Sequence, residues 1–304
     1  MFARAIAIAI VVAGLASVAA AQFSLDVAQL PHVTPSLVVG ATAVKPGGSV
    51  EVAIRFEIER GWHMYWTNPG DSGLPPTVKW SLPPGVTAEP LRFPVPKRID
   101  VGNGLTSFGY EGELVLLTRL NVPSDYKAAS VPVVAKLDWL VCHDTCVMEK
   151  GVAKAEIKVG DGVPVMAEQF AAWDNLVPRP SPDVTHEIWW TGGERNGFIL
   201  FQVPRSASVE QVFPPAIDFA VFDLGDPSDG IDKARAAATR PAASAILPFR
   251  ILAGDHKPQA GEAVLVYTVP SKDGRPAQRY RVSVPVKMAY PIEWTVPSTV
   301  PGGS

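Results

Sequence analysis

Hydrophobic and polar positions alternate with period two through most of this chain. In Ser49–Glu59, Val50, Val52, Ile54, Phe56 and Ile58 fall on one face, while Glu51, Arg55, Glu57 and Glu59 fall on the other. That spacing predicts a half-buried antiparallel strand. The same alternation predicts strands at Glu113–Val122 and Val131–Leu140. It returns at Ala153–Val159, where Ala153, Ala155, Ile157 and Val159 alternate with Lys154, Glu156 and Lys158. A shorter strand is predicted at Thr77–Trp80, and turns at Lys45–Gly48 and Leu82–Gly85. Gly61–Pro76 starts as an aromatic strand end (Trp62, His63, Met64, Tyr65, Trp66) and runs into an ordered loop. Leu91–Gly104 is interrupted by Pro94 and Pro96 and reads as an irregular connection. Leu105–Gly112 reads as a glycine-spaced aromatic loop.

Only Val163–Asn175 has a helical pattern, ended by Pro178 and Pro180. Strand patterning then resumes at Thr185–Trp190, Gly197–Val203, Ala216–Phe222, Ala245–Leu252, Glu262–Val269 and Gln278–Val286. Asp223–Ala242 reads as a loop with one helical turn at Ile231–Ala238. About seven strands before the helical stretch, with turns between them, predict an immunoglobulin-like sandwich. The expected fold class is therefore all-β: two immunoglobulin-like β-sandwich domains joined by a short helical linker. The expected boundaries are 22–160 for the first sandwich, 161–178 for the linker, 179–290 for the second and 291–304 for a Pro/Gly/Ser tail.

Composition agrees with this pattern. The chain has 304 residues, enough for two cores, with 30 prolines and 25 glycines to make frequent turns. A net charge of −3 without any basic cluster argues against a nucleic-acid partner. Met1–Ala21 places Arg4 before the apolar run Ala5–Val18 and ends in Ala19-Ala20-Ala21. These are the parts of a secretory signal peptide, and the run is short for a bilayer span. Cleavage is expected after Ala21, giving an exported, soluble, periplasmic protein. No Gly-x-Ser-x-Gly, His-Glu-x-x-His or phosphate-loop pattern points to hydrolysis.

Cys142 and Cys146 are the chain's two cysteines. In an extended strand, positions four apart lie roughly 13 Å apart. A disulfide tolerates a Cα separation of only about 4.4–6.8 Å. If the two pair, the chain must fold back over His143-Asp144-Thr145. A structural staple across so short a loop would contribute only about 2 kcal/mol in the chain-entropy model. Export permits a disulfide, but spacing alone leaves open whether the pair is a staple or a redox centre.

The motifs Gly61-Trp-His-Met-Tyr-Trp-Thr-Asn-Pro-Gly-Asp-Ser-Gly-Leu-Pro-Pro76 and Leu137-Asp-Trp-Leu-Val-Cys-His-Asp-Thr-Cys146, with Glu149 following, resemble the periplasmic N-terminal region of the DsbD/ScsB family, in its ScsB-like branch. The resemblance covers about Leu37–Val159 and extends only weakly over Asp161–Tyr290. It departs from the better-known branch, which spaces its cysteines by five residues. Full-length members continue into a membrane domain and a thioredoxin-like domain, and this sequence contains neither.

The resemblance implies an immunoglobulin-like domain with a redox-active pair at one end and thiol:disulfide interchange (protein-disulfide reductase) activity. It implies that Cys146 forms mixed disulfides and Cys142 resolves them. It further implies an aromatic cap over the disulfide, with Phe108 the first candidate and Tyr110 the second. His143, Asp144 and Glu149 are candidates for tuning the thiolate. The implied partners are a membrane electron-transport protein or thioredoxin-like domain and an oxidised periplasmic client. No cofactor is called for, and the oligomeric state is not indicated.

Two other readings compete. One is a copper-handling protein using Cys142, Cys146, His63 and Met64, soft ligands that suit copper(I). The other is a structural or chaperone-like sandwich with a static disulfide.

Overall fold

The computed structural model describes residues 31–190, 195–222, 244–254, 256–270 and 277–290. The expected signal peptide, the helical turn at Ile231–Ala238 and the tail lie outside these residues. The described part is all-β apart from one short helix, as the alternation predicts.

The first half holds two sheets. One is built from β1 (Val33–Val39), β3 (Ser49–Ile58), β9 (Glu113–Asn121) and β6 (Thr87–Ala88), in that spatial order. The other runs β2 (Ala43–Val44), β11 (Cys146–Val159), β10 (Ser130–Cys142), β4 (His63–Gly70), β8 (Thr106–Glu111), β7 (Lys97–Asp100), with β5 (Thr77–Ser81) also paired to β10. Inward residues of the two sheets meet in one core: Ile54, Phe56, Leu114 and Leu116 from the first pack with Ala135, Leu137, Trp139 and Val141 from the second. Each set follows period two, so a slip of one residue in either strand would turn its apolar face outward.

The helix α1 (Ala167–Asp174) follows. Eight residues are too few to hold a helix by backbone bonds alone. Its Phe170 and Trp173 are buried against Ala53, Val115 and Leu117, on the outer face of the β1–β3–β9–β6 sheet. Arg92 joins it electrostatically, reaching both Asp174 on the helix (2.7 Å) and Glu51 on β3 (2.6 Å).

The second half again makes two four-stranded sheets. One is β12 (Arg179–Pro180), β19 (Gln278–Tyr290), β18 (His256–Val269) and β15 (Ser208–Phe213). The other is β13 (Thr185–Trp190), β14 (Asn196–Gln202), β17 (Ser244–Ile251) and β16 (Ala220–Phe222). Ile199, Phe201, Leu247 and Phe249 pack on Leu265, Tyr267, Val282 and Val284 between them.

Two expectations need correcting, and one strand lies outside the predicted set. Leu91–Gly104 is not wholly irregular, because it contains β7. Leu105–Gly112 is not a loop, because Thr106–Glu111 is the paired strand β8. The glycine in that segment is explained by crowding: a Cβ on Gly109 would fall 2.0 Å from the Met64 carbonyl oxygen of the adjacent strand. Strand β15 also escapes the pattern: a bulge between Val209 and Gln211 breaks its alternation, and the neighbours Val212 and Phe213 are both buried because they enter different cores, Val212 that of the second half and Phe213 that of the first.

Phe213 joins the two halves. Its ring sits edge-on to Phe108 (5.4 Å between centroids) and to Trp66 (5.9 Å), with Val264 and Val266 in the same cluster. Around it, the Asn68 amide donates to the carbonyls of Pro214 (2.9 Å) and Pro215 (3.1 Å), and Arg98 donates to that of Val212 (3.3 Å). Phe213→Ala is expected to lower stability by about 3–5 kcal/mol, the range for removing a buried phenyl ring. Chemical denaturation measures this, and an unchanged midpoint would mean the ring is not part of the shared core.

Candidate functional site

Antiparallel pairing of β10 and β11 brings the cysteines together. The ladder runs from Ser130 opposite Lys158 to Cys142 opposite Cys146, and His143-Asp144-Thr145 closes it, with the His143 amide donating to the Thr145 carbonyl (3.1 Å). Cys142 and Cys146 form a disulfide with Cα atoms 4.1 Å apart. The fold-back that pairing would require is therefore present.

The two cysteines are not equivalent. Cys142 is 2% exposed, inside the end of β10 and opposite His63 on β4, whereas Cys146 is exposed. The second residue is thus open to solvent and the first is withdrawn from it.

The aromatic strand β4 divides its side chains by period two. Met64 and Trp66 point into the core, while His63 and Tyr65 share the opposite face. Nε2 of His63 lies 3.2 Å from the Tyr65 hydroxyl, and that hydroxyl lies 3.9 Å from Sγ of Cys146. Burial pushes the His63 imidazole below its ordinary pKa, opposed by the charge of Glu111 and assisted by His143. Burial likewise pushes the Tyr65 phenol up. His63 was recognisable only as a soft ligand and Tyr65 only as one of an aromatic cluster. Their i, i+2 spacing on a strand was the available signal that they share a face.

The other candidates are placed as follows. His143 and Asp144 are exposed in the hairpin loop and pair with each other at 3.0 Å. The His143 ring tilts against Trp62, which in turn stacks on His32 at 3.6 Å. Glu149 is occupied structurally: one carboxylate oxygen accepts from the His32 backbone N–H (2.8 Å) and the other from the Trp139 indole (3.1 Å). Phe108 and Tyr110 are interior residues of β8. Phe108 is fully buried against Trp66 and Phe213, and the Tyr110 hydroxyl donates to the Pro94 carbonyl at 2.8 Å. The hydroxyl of Tyr65 contacts Cys146 Sγ. The four copper candidates do not converge, because Met64 faces away from His63 and the sulfurs. Among the described residues, no group of three or more His, Cys, Asp or Glu side chains is arranged to hold a metal ion.

This hairpin lies inside a stretch, residues 34–155, that matches the family model for the N-terminal region of thiol:disulfide interchange protein DsbD. Among solved structures, the N-terminal periplasmic domain of ScsB from Proteus mirabilis is similar, with a TM-score of 0.54 and 18% identity over 84% of this chain and 94% of that one. At this identity the likeness concerns the fold. The Neisseria meningitidis DsbD N-terminal domain in its reduced form shares 16% identity, covering 41% of this chain and 88% of its own, with a TM-score of 0.25. No curated protein matches this chain. The family-model match and the Cys142–Cys146 disulfide support a likeness to thiol–disulfide exchange proteins. Among the described residues, no helix is long and apolar enough to cross a membrane.

Because His63 is held neutral by burial, it should destabilise the fold on acidification. Its folded pKa lies below the unfolded value, so the unfolded chain takes up the proton first as pH falls. Stability should be full above about pH 6.5 and decline below it. Denaturation midpoints across that range should fall less in His63→Gln than in the parent; equal declines would assign the acid sensitivity elsewhere.

Proposed function

We propose that this protein is a periplasmic thiol–disulfide exchange protein whose Cys142/Cys146 pair relays electrons between a membrane or thioredoxin-like reductant and an oxidised client. The observation that carries this reading is the unequal exposure of a disulfide at a hairpin tip, Cys146 open and Cys142 buried. A staple has no use for one accessible sulfur, whereas exchange requires one sulfur that can be attacked and a second that resolves.

In the charging step, a thiolate of the reductant attacks Cys146 Sγ. The Cys142–Cys146 bond breaks, and Cys142 leaves as a thiolate. The reductant's second thiol, once deprotonated, then displaces Cys146, so that the reductant becomes a disulfide and the pair becomes a dithiol carrying two electrons. In the delivery step, the Cys146 thiolate attacks the client disulfide and releases one client thiolate. Cys142, as the thiolate, then attacks Cys146 Sγ, restores the Cys142–Cys146 bond and frees the second client thiolate. The export segment expected at Met1–Ala21 and the family match support a periplasmic setting, where oxidised clients are available.

Cys146→Ser should abolish exchange with a thioredoxin-like dithiol. Cys142→Ser should accumulate a mixed disulfide through Cys146, visible by non-reducing electrophoresis and intact mass. Normal exchange by both variants would sink the relay and favour a static disulfide.

A further inference from the structure

Tyr65 and His63 take no part in the exchange steps proposed above, yet the Tyr65 hydroxyl meets the accessible sulfur. The chain of contacts is continuous: Cys146 Sγ to the Tyr65 hydroxyl at 3.9 Å, and that hydroxyl to His63 Nε2 at 3.2 Å. The first distance is long for oxygen but within the reach of a sulfur contact. Both partners are withdrawn from water, His63 at 6% exposure and Tyr65 at 1%. The sulfur they serve opens to solvent.

The ring of Tyr65 is also held in place. A Cβ on Gly73 would lie 2.2 Å from Cε1 of Tyr65, so the loop backbone can press against the ring only because Gly73 has no side chain. Gly73 has φ +116°, a conformation that residues with side chains rarely adopt. The turn-rich segment after β4 thus acts as a wall behind the phenol.

We propose that Tyr65 and His63 form a proton relay that activates Cys146, with Tyr65 as the group in contact with the sulfur and His63 as the base acting through it. In the reduced protein the Cys146 S–H donates to the Tyr65 oxygen, and the Tyr65 O–H donates to unprotonated Nε2 of His63. Proton transfer along this chain leaves a thiolate on Cys146, an unchanged phenol and an imidazolium on His63. One proton moves from sulfur to nitrogen and no electrons change hands. When Cys146 later leaves a mixed disulfide as a thiolate, the relay runs backwards and reprotonates it.

The surroundings suit a base that is neutral at rest and tolerates a transient charge. Across the ladder, His63 faces Glu111 on β8 and Cys142 on β10, with His143 in the hairpin loop. Glu111 favours the imidazolium, while burial and His143 oppose it; Glu111 in turn pairs with Lys97 on β7 at 3.3 Å. In the neutral tautomer that carries its proton on Nδ1, Nε2 accepts, and that is the state the relay starts from.

The inference rests on the proposed exchange chemistry, and its test reads the acidity of Cys146 directly. In full-length Cys142→Ser protein, Cys146 is the sole thiol, and its alkylation by iodoacetamide against pH reports the thiolate fraction. Tyr65→Phe keeps the ring against Gly73 and removes only the hydroxyl; His63→Gln keeps a polar side chain and removes the base. Each is expected to move the alkylation midpoint up by about one pH unit, with about tenfold less thiolate near neutral pH. Tyr126→Phe, which removes a hydroxyl bonded to Ser130 at the far end of β10, should leave the profile in place.

If Tyr65→Phe does not fold, the His63→Gln profile decides. Profiles that superimpose on the Cys142→Ser parent would overturn the relay. Failure of the wild-type disulfide to exchange with a thioredoxin-like dithiol would instead overturn the proposed function, leaving the alkylation profiles to judge the relay alone.

Discussion

Thirteen residues of β10 pair in register with the last strand of the first half, and the site exists because that ladder ends where it does. Inward residues along β10 bury Val131, Val133, Ala135, Leu137, Trp139 and Val141, so the register is fixed by the core and cannot slip without exposing all of them. Glu149 on β11 adds a polar lock, holding the Trp139 indole and the backbone of His32 at once. With the ladder pinned, the sulfur positions follow from the three-residue connection. The same pinning sets Cys142 against β4 and leaves Cys146 on the rim.

This arrangement separates two demands that conflict in a small redox site. A disulfide that is wholly buried resists reduction because nothing reaches it. One that is wholly open gives no control over which sulfur is attacked or when. Here the interior sulfur sits at the buried end of β10, opposite His63, and the outer one meets a hydroxyl from β4. Strand pairing, rather than a separate lid, provides the difference.

Much of this was legible in the sequence. Period-two alternation located β3, β9, β10 and β13 closely, and the Cys-x3-Cys spacing demanded a fold-back that the hairpin supplies. The misreadings have physical causes. Leu105–Gly112 reads as a loop because the reason for Gly109 being glycine is a carbonyl on the neighbouring strand, which one sequence cannot reveal. Phe108 reads as a candidate cap rather than a core residue because the ring that buries it, Phe213, is more than a hundred residues away. His63 and Tyr65 were visible as residues, but their contact with Cys146 depends on which face of β4 turns outward, and only the packing of Met64 and Trp66 decides that.

Phe213 also bears on how such proteins can be taken apart. The family match ends at residue 155, well before the second pair of sheets begins. Packing does not respect that boundary: Phe213, Val264 and Val266 fill space beside Trp66 and Phe108. A fragment cut at the end of the matched region would present a socket lined by two large aromatic rings to water, directly behind the strand that carries His63 and Tyr65. Homology marks one module here while the hydrophobic interior marks a larger one, so dissecting this chain by resemblance alone would sever a folding unit.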